Sequence, residues 1–262
     1  MRFLVVIAKK VLPRPIFNAL RAIRWYIFST PLEKKMVAHD RFMRKEVANF
    51  ATNLQKHTIK IHGQEHLLGA AAKSAVIAGL LHYGCWSLTG ISISSQLELP
   101  YNVIASYRHR YTLFPKDKYA WERGLMHVQD ILGHQIFYND QSPRFPLEWL
   151  KTKGNVLGMN IDVREAEKIH KEYPFDFLGK KIYLQVGPAR MAILANVPIV
   201  PTIVQFDPKE KVHHLYIDEP VYPNNDPQAM TQQVLLAFEK HVKRALDQQN
   251  VFEITSKFGK PT

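Results

Sequence analysis

An α/β domain on a mostly parallel central sheet flanked by helices, preceded by basic amphipathic helices, is the fold class this sequence predicts. Three observations predict it. From residue 57 onward, short apolar or alternating segments recur between stretches of helical periodicity. The 262 residues are 46% hydrophobic and 22% charged, a globular balance with enough chain for a sizeable core. The positive charge gathers ahead of that alternation: residues 1–60 carry thirteen Lys or Arg against three acids, a net of +10 out of the total of +12.

Taken in order, Pro15 suits the first turn of a helix reaching about Phe28, on which Ile16, Phe17, Leu20, Ile23 and Ile27 recur at helical spacing. Arg21 and Arg24 lie elsewhere on it, and Trp25 and Tyr26 stand near its end. That composition suits a helix lying in a membrane interface, where each basic residue contributes about 1 kcal/mol near an anionic leaflet. A second basic helix is expected over 32–55. Strands are then expected at 57–62, 75–81, 102–105, 156–159, 199–206 and 212–217. Helices are expected at 87–97, 119–132, 146–152 and 187–195. A last helix starts at Asp226 with Pro227 in its first turn and runs to about 247. No repeat or linker divides the chain, so 1–262 reads as a single domain: N-terminal basic membrane-associating helices over 1–56 and an α/β core over 57–262.

The apolar run at 3–8 is far below the roughly 18 residues of a spanning helix, and no small-residue cleavage pattern follows it. The expectation is a chain that does not cross a bilayer and meets an anionic partner at a surface. Cys85 is the one cysteine, which excludes an internal disulfide and any multi-cysteine zinc site. A metal site is not expected: His62 and His66 lack an intervening Glu, and His213 and His214 alternate across a strand. No glycine-rich phosphate loop ends in Gly-Lys-Ser or Gly-Lys-Thr, and no nucleic-acid motif accompanies the charge.

Chemistry concentrates where the buried strand at 75–81 ends abruptly in His82-Tyr83-Gly84-Cys85-Trp86-Ser87. Ligands of open α/β sheets gather at the carboxyl ends of strands. An imidazole there can act as a general base near neutral pH, and Gly84 permits a sharp turn. Cys85 offers a rival, covalent route with His82 as its base; its other reading is a small buried side chain. Arg108, His109 and Arg110, with Arg123 beyond them, could grip lipid phosphates or be solvated charges.

Gly63-Gln64-Glu65-His66-Leu67, an apolar strand and then His82 to Ser87 resemble the first block of the lysophospholipid acyltransferase superfamily, in particular its late lipid A acyltransferase branch. Three further pieces follow in order: Leu132-Gly133-His134-Gln135-Ile136-Phe137, the strand from Gly154 ending at Asp162, and the stretch from Phe175 through Gly187-Pro188-Ala189-Arg190 to Pro201. The likeness covers about residues 57–205. It implies a glycerol-3-phosphate acyltransferase-like fold, peripheral to the cytoplasmic face of the inner membrane. It also implies transfer from a carrier-protein thioester, with no bound cofactor, to a hydroxyl of an anionic, lipid A-type acceptor. His82 would be the base, with Tyr83, Gly84, Trp86, Arg108, Arg110 and Arg123 toward substrate.

In that branch the histidine is followed, after four residues, by an acid. Here the position holds Ser87, a hydroxyl that can orient an imidazole but brings no negative charge. Glu65 and Asp162 are the carboxylates that could serve His82 instead. The substitution also opens a different donor, because one offshoot of the superfamily transfers glycine to lipid A and so protects against cationic antimicrobial peptides. Fatty-acyl and glycyl transfer both stand at this point. So does a membrane-bound lipid-binding member of the fold that has lost its activity.

Overall fold

The computed structural model describes residues 59–105, 126, 128–163 and 171–248, together with Pro31. The helices expected at 15–28 and 32–55, the residues Arg108, His109, Arg110 and Arg123, and most of the 119–132 helix lie outside the described residues.

The chain runs β1 (Ile59–His62), α1 (Gln64–Ala71), β2 (Val76–Leu80), α2 (Ser87–Gln96), β3 (Tyr101–Ala105), β4 (Phe137–Tyr138), α3 (Arg144–Trp149) and β5 (Val156–Asn160). It continues through the hairpin β6 (Tyr173–Phe177) and β7 (Lys180–Leu184), α4 (Gly187–Ala195), β8 (Ile199–Asp207), β9 (Val212–Ile217) and α5 (Pro227–Val242), ending in a 3-10 turn at Leu246–Gln248. Seven strands form one sheet in the order β1-β9-β8-β2-β5-β3-β4. Every pairing is parallel except β8 with β9. The predicted α/β class with a mostly parallel sheet is what the chain adopts.

The central strand β2, Val-Ile-Ala-Gly-Leu, is buried at every position. A strand covered on both faces reads as a continuous apolar run, which is why its sequence shows no alternation. Two apolar layers cover the sheet. One packs α4, α5 and the β6-β7 hairpin through Phe175, Ile182, Ala189, Met230, Val234 and Phe238; the other packs α1 and α2 through Leu67, Leu88, Ile91 and Ile93. The hairpin, α1 and the two-residue β4 add to the elements the sequence predicts. The α5 helix starts as expected, with the Asp226 carboxylate accepting from the N–H groups of Gln228 and Ala229. It ends earlier than about 247, and a turn reaches Gln248.

On the edge of this layer, His241 Nε2 lies 3.0 Å from Asp218 Oδ2 and Lys240 Nζ 2.6 Å from Oδ1. Burial alone would raise the Asp218 carboxyl, but the hydrogen bonds and positive charges of His241 and Lys240 outweigh it and hold its pKa below the usual carboxylate value. A depressed folded pKa stabilises above the unfolded value, and that contribution is lost as pH falls through the folded one. Asp218→Asn is therefore expected to lower the melting temperature at pH 7, with the gap to wild type closing below about pH 4. Thermal unfolding across pH 2–8 checks this; a gap that stays constant through the acid range contradicts it.

Candidate active site

The connection leaving β2 leads to α2 on one face of the sheet, whereas the chain leaving the adjacent β5 leads to the β6-β7 hairpin and α4 on the other. Neighbouring parallel strands whose connections diverge to opposite faces open a crevice at their carboxyl ends. His82 stands two residues beyond β2, and Asp162 two residues beyond β5. Because Leu80 pairs with Asn160, the two side chains meet at the mouth of that crevice.

The contact is direct. His82 Nδ1 lies 2.9 Å from Asp162 Oδ1, and the His82 backbone N–H approaches Oδ1 and Oδ2 at 3.3 and 3.2 Å. One carboxylate thus holds both the ring and the backbone of the histidine. A carboxylate only accepts, so in the neutral ring the tautomer that satisfies this contact has its proton on Nδ1 and leaves Nε2 as the accepting nitrogen. The Asp162 side chain is 4% exposed and that of His82 is 19% exposed. The acid is enclosed while the base keeps an open edge, the order needed for a base that must meet a substrate. The Trp86 ring stands edge-on to the imidazole, with centroids 5.6 Å apart at 75°.

The loop carrying His82 is held from behind. Gly84 has φ +52°, and a Cβ there would collide with the Val204 carbonyl oxygen. Its N–H donates to Gln248 O at 2.9 Å, and the Gln248 side chain binds both the N–H and the carbonyl of Phe206 in β8. The Tyr83 hydroxyl donates to Ala245 O at 2.8 Å. Burial, then the nearby Asp247 charge, push its pKa well above the usual phenol value, so it stays a donor. The turn after α5 therefore clamps the loop to β8.

Of the residues expected at the site, the structure brings His82, Asp162, Gly84 and Trp86 together. Tyr83 faces the core, 1% exposed, so its place is support of the loop and not contact with a ligand. Ser87 opens α2 with its Oγ 3.6 Å from Cys85 Sγ. Cys85 is buried among the apolar residues behind α2 and sits away from solvent. Glu65 is a correction to the expectation that it could serve His82. Since β1 runs parallel to β9, and β9 antiparallel to β8, the end of β1 and the start of α1 lie at the amino end of β2, opposite to His82. Its carboxylate is instead 3.9 Å from His66. A cavity of about 350 Å³ at that far end is lined by His66, Asp218, Glu219 and Lys240 among others, and by none of the residues at the His82 crevice.

Asn160 and Gln248 join the site although the sequence does not single them out. Asn160 carries a legible signal: it is a polar residue closing an otherwise apolar strand two positions before Asp162. Gln248 carries none, because the residues it clamps, Phe206 and Gly84, are 42 and more residues away. Among the described residues no group of three or more His, Cys, Asp or Glu is arranged to hold a metal. His62 Nε2 and His214 Nδ1 pair at 2.9 Å on the outer strands, while His213 turns to the other face against Phe206. No family model matches this sequence, and neither does any curated protein.

Proposed function

We propose that this chain is an acyltransferase that moves a fatty-acyl or aminoacyl group, such as glycyl, from a carrier-protein thioester to a hydroxyl of a lipid A-type anionic lipid. The observation that carries the proposal is the 2.9 Å pair of His82 Nδ1 with an enclosed Asp162 at the sheet's crevice. His82 Nε2 takes the proton of the acceptor hydroxyl as that oxygen bonds to the thioester carbonyl carbon, whose π electrons move to its oxygen. Collapse of the tetrahedral intermediate expels the carrier thiolate, which takes the proton back from Nε2. Asp162 holds the tautomer and offsets the imidazolium charge between these steps.

The inactive alternative drew its support from the missing acid at Ser87. Asp162 supplies a carboxylate to the same ring from another strand, which favours the enzyme. The glycerol-3-phosphate acyltransferase-like fold and the seat on the cytoplasmic face of the inner membrane belong to the same proposal. No helix among the described residues is long and apolar enough to cross a membrane, and the +10 charge of residues 1–60 suits a surface of anionic lipids and an acidic carrier protein. Transfer from a carrier thioester to solubilised lipid A should be lost in His82→Ala while the melting temperature and vesicle binding persist. Undiminished transfer by that variant removes His82 from the mechanism.

A further inference from the structure

We infer that Asn160 is a catalytic residue whose side-chain amide donates to the oxyanion formed during transfer. The assignment rests on the acyl-transfer proposal above. Asn160 is the last residue of β5, and its Nδ2 lies 3.4 Å from His82 Nε2. The amide's orientation follows from hydrogen-bond logic. In the neutral ring Asp162 fixes the proton on Nδ1, Nε2 is therefore an acceptor, and the end of the amide facing it is the donor nitrogen. At 3.4 Å this is a weak contact in the resting site, at the outer limit of an N–H donor's reach. The other end, Oδ1, is buried without a hydrogen-bond partner among the described residues. A buried amide that is half unsatisfied costs stability, and such groups concentrate where function needs them.

The geometry of the reaction gives that donor its use. A hydroxyl oxygen losing its proton to Nε2 sits about 2.6–3.2 Å from it. The attacked carbonyl carbon is one bond further and its oxygen two, within reach of an N–H anchored beside Nε2. When the hydroxyl occupies Nε2, the amide hydrogen is released from the imidazole and faces the new negative charge. The backbone N–H groups of His82, Tyr83 and Gly84 are already engaged, donating to Asp162, Leu81 O and Gln248 O. A donor preset on a buried strand needs no rearrangement as charge develops.

The test uses the purified full chain, with glycyl- and dodecanoyl-pantetheine thioesters as donors and solubilised lipid A as acceptor. Wild type, His82→Ala, Asn160→Ala and the isosteric Asn160→Asp are compared for kcat, KM and melting temperature. Loss of an oxyanion donor lowers kcat by roughly 10²–10³-fold. Both Asn160 variants should show that loss, with KM for the thioester within about threefold of wild type. Asn160→Asp keeps the size of the side chain, so a melting temperature near wild type separates the catalytic effect from failure to fold. Transfer that needs His82 but proceeds at the wild-type kcat in either Asn160 variant overturns the assignment alone. Absence of transfer by wild type, or equal transfer by His82→Ala, overturns the acyl-transfer proposal and this assignment with it.

Discussion

Asp162→Asn should reduce acyl transfer by about 10³–10⁴-fold while the fold survives. The magnitude follows the loss seen when an orienting aspartate behind a catalytic histidine is neutralised elsewhere. An Asn at 162 still offers an oxygen to the His82 backbone N–H, so the loop keeps its anchor. What disappears is the negative charge beside Nδ1 and the bias toward the tautomer with its proton there. Turnover should fall and thioester KM should change little, because the carboxylate is enclosed behind the ring. Turnover within tenfold of wild type would mean that the carboxylate only holds the loop.

Gly84→Ala should have the second largest effect, and on stability as well as activity. An alanine at φ +52° is strained by roughly 1–2 kcal/mol. Its Cβ also meets the Val204 carbonyl, backbone that yields only if β8 or the loop shifts, adding about 1–3 kcal/mol. The loop is the softer of the two and carries His82. A displacement on the order of 1 Å at the catalytic group costs about 10²-fold in rate. Thermal unfolding together with turnover would show both losses; an unchanged melting temperature would contradict the close approach of Gly84 to β8.

Much of the core was legible because its strands are buried on both faces. Ala-Val-Ile-Ala-Gly-Leu-Leu around β2 and Ile-Val-Pro-Thr-Ile-Val in β8 leave few alternatives to a central sheet strand, and Pro188 and Pro227 mark two helix starts. The β6-β7 hairpin was not legible: Tyr-Pro-Phe-Asp-Phe and Lys-Lys-Ile-Tyr-Leu are joined by Leu178-Gly179, and the Pro174 and paired lysines dilute the strand pattern. At the site, His82 could be singled out from its place at the end of an apolar run. Its acid could only be narrowed to Glu65 or Asp162, since the choice depends on which strand ends share one edge of the sheet. That order is a long-range property: β5 lies beside β2 although β3 and β4 intervene in the chain. The clamp by Gln248 is longer in range still, and no local pattern announces it.

The most direct test of the central claim, that His82 and Asp162 together drive transfer to lipid A, is mass spectrometry of that lipid. Cells expressing the wild-type chain, His82→Ala, Asp162→Asn or none should be compared. The expected result is a mass increment of a fatty-acyl or glycyl group with wild type, absent with His82→Ala and nearly so with Asp162→Asn at equal protein levels. An identical lipid A profile in all four, or an increment that survives loss of the imidazole, would contradict it.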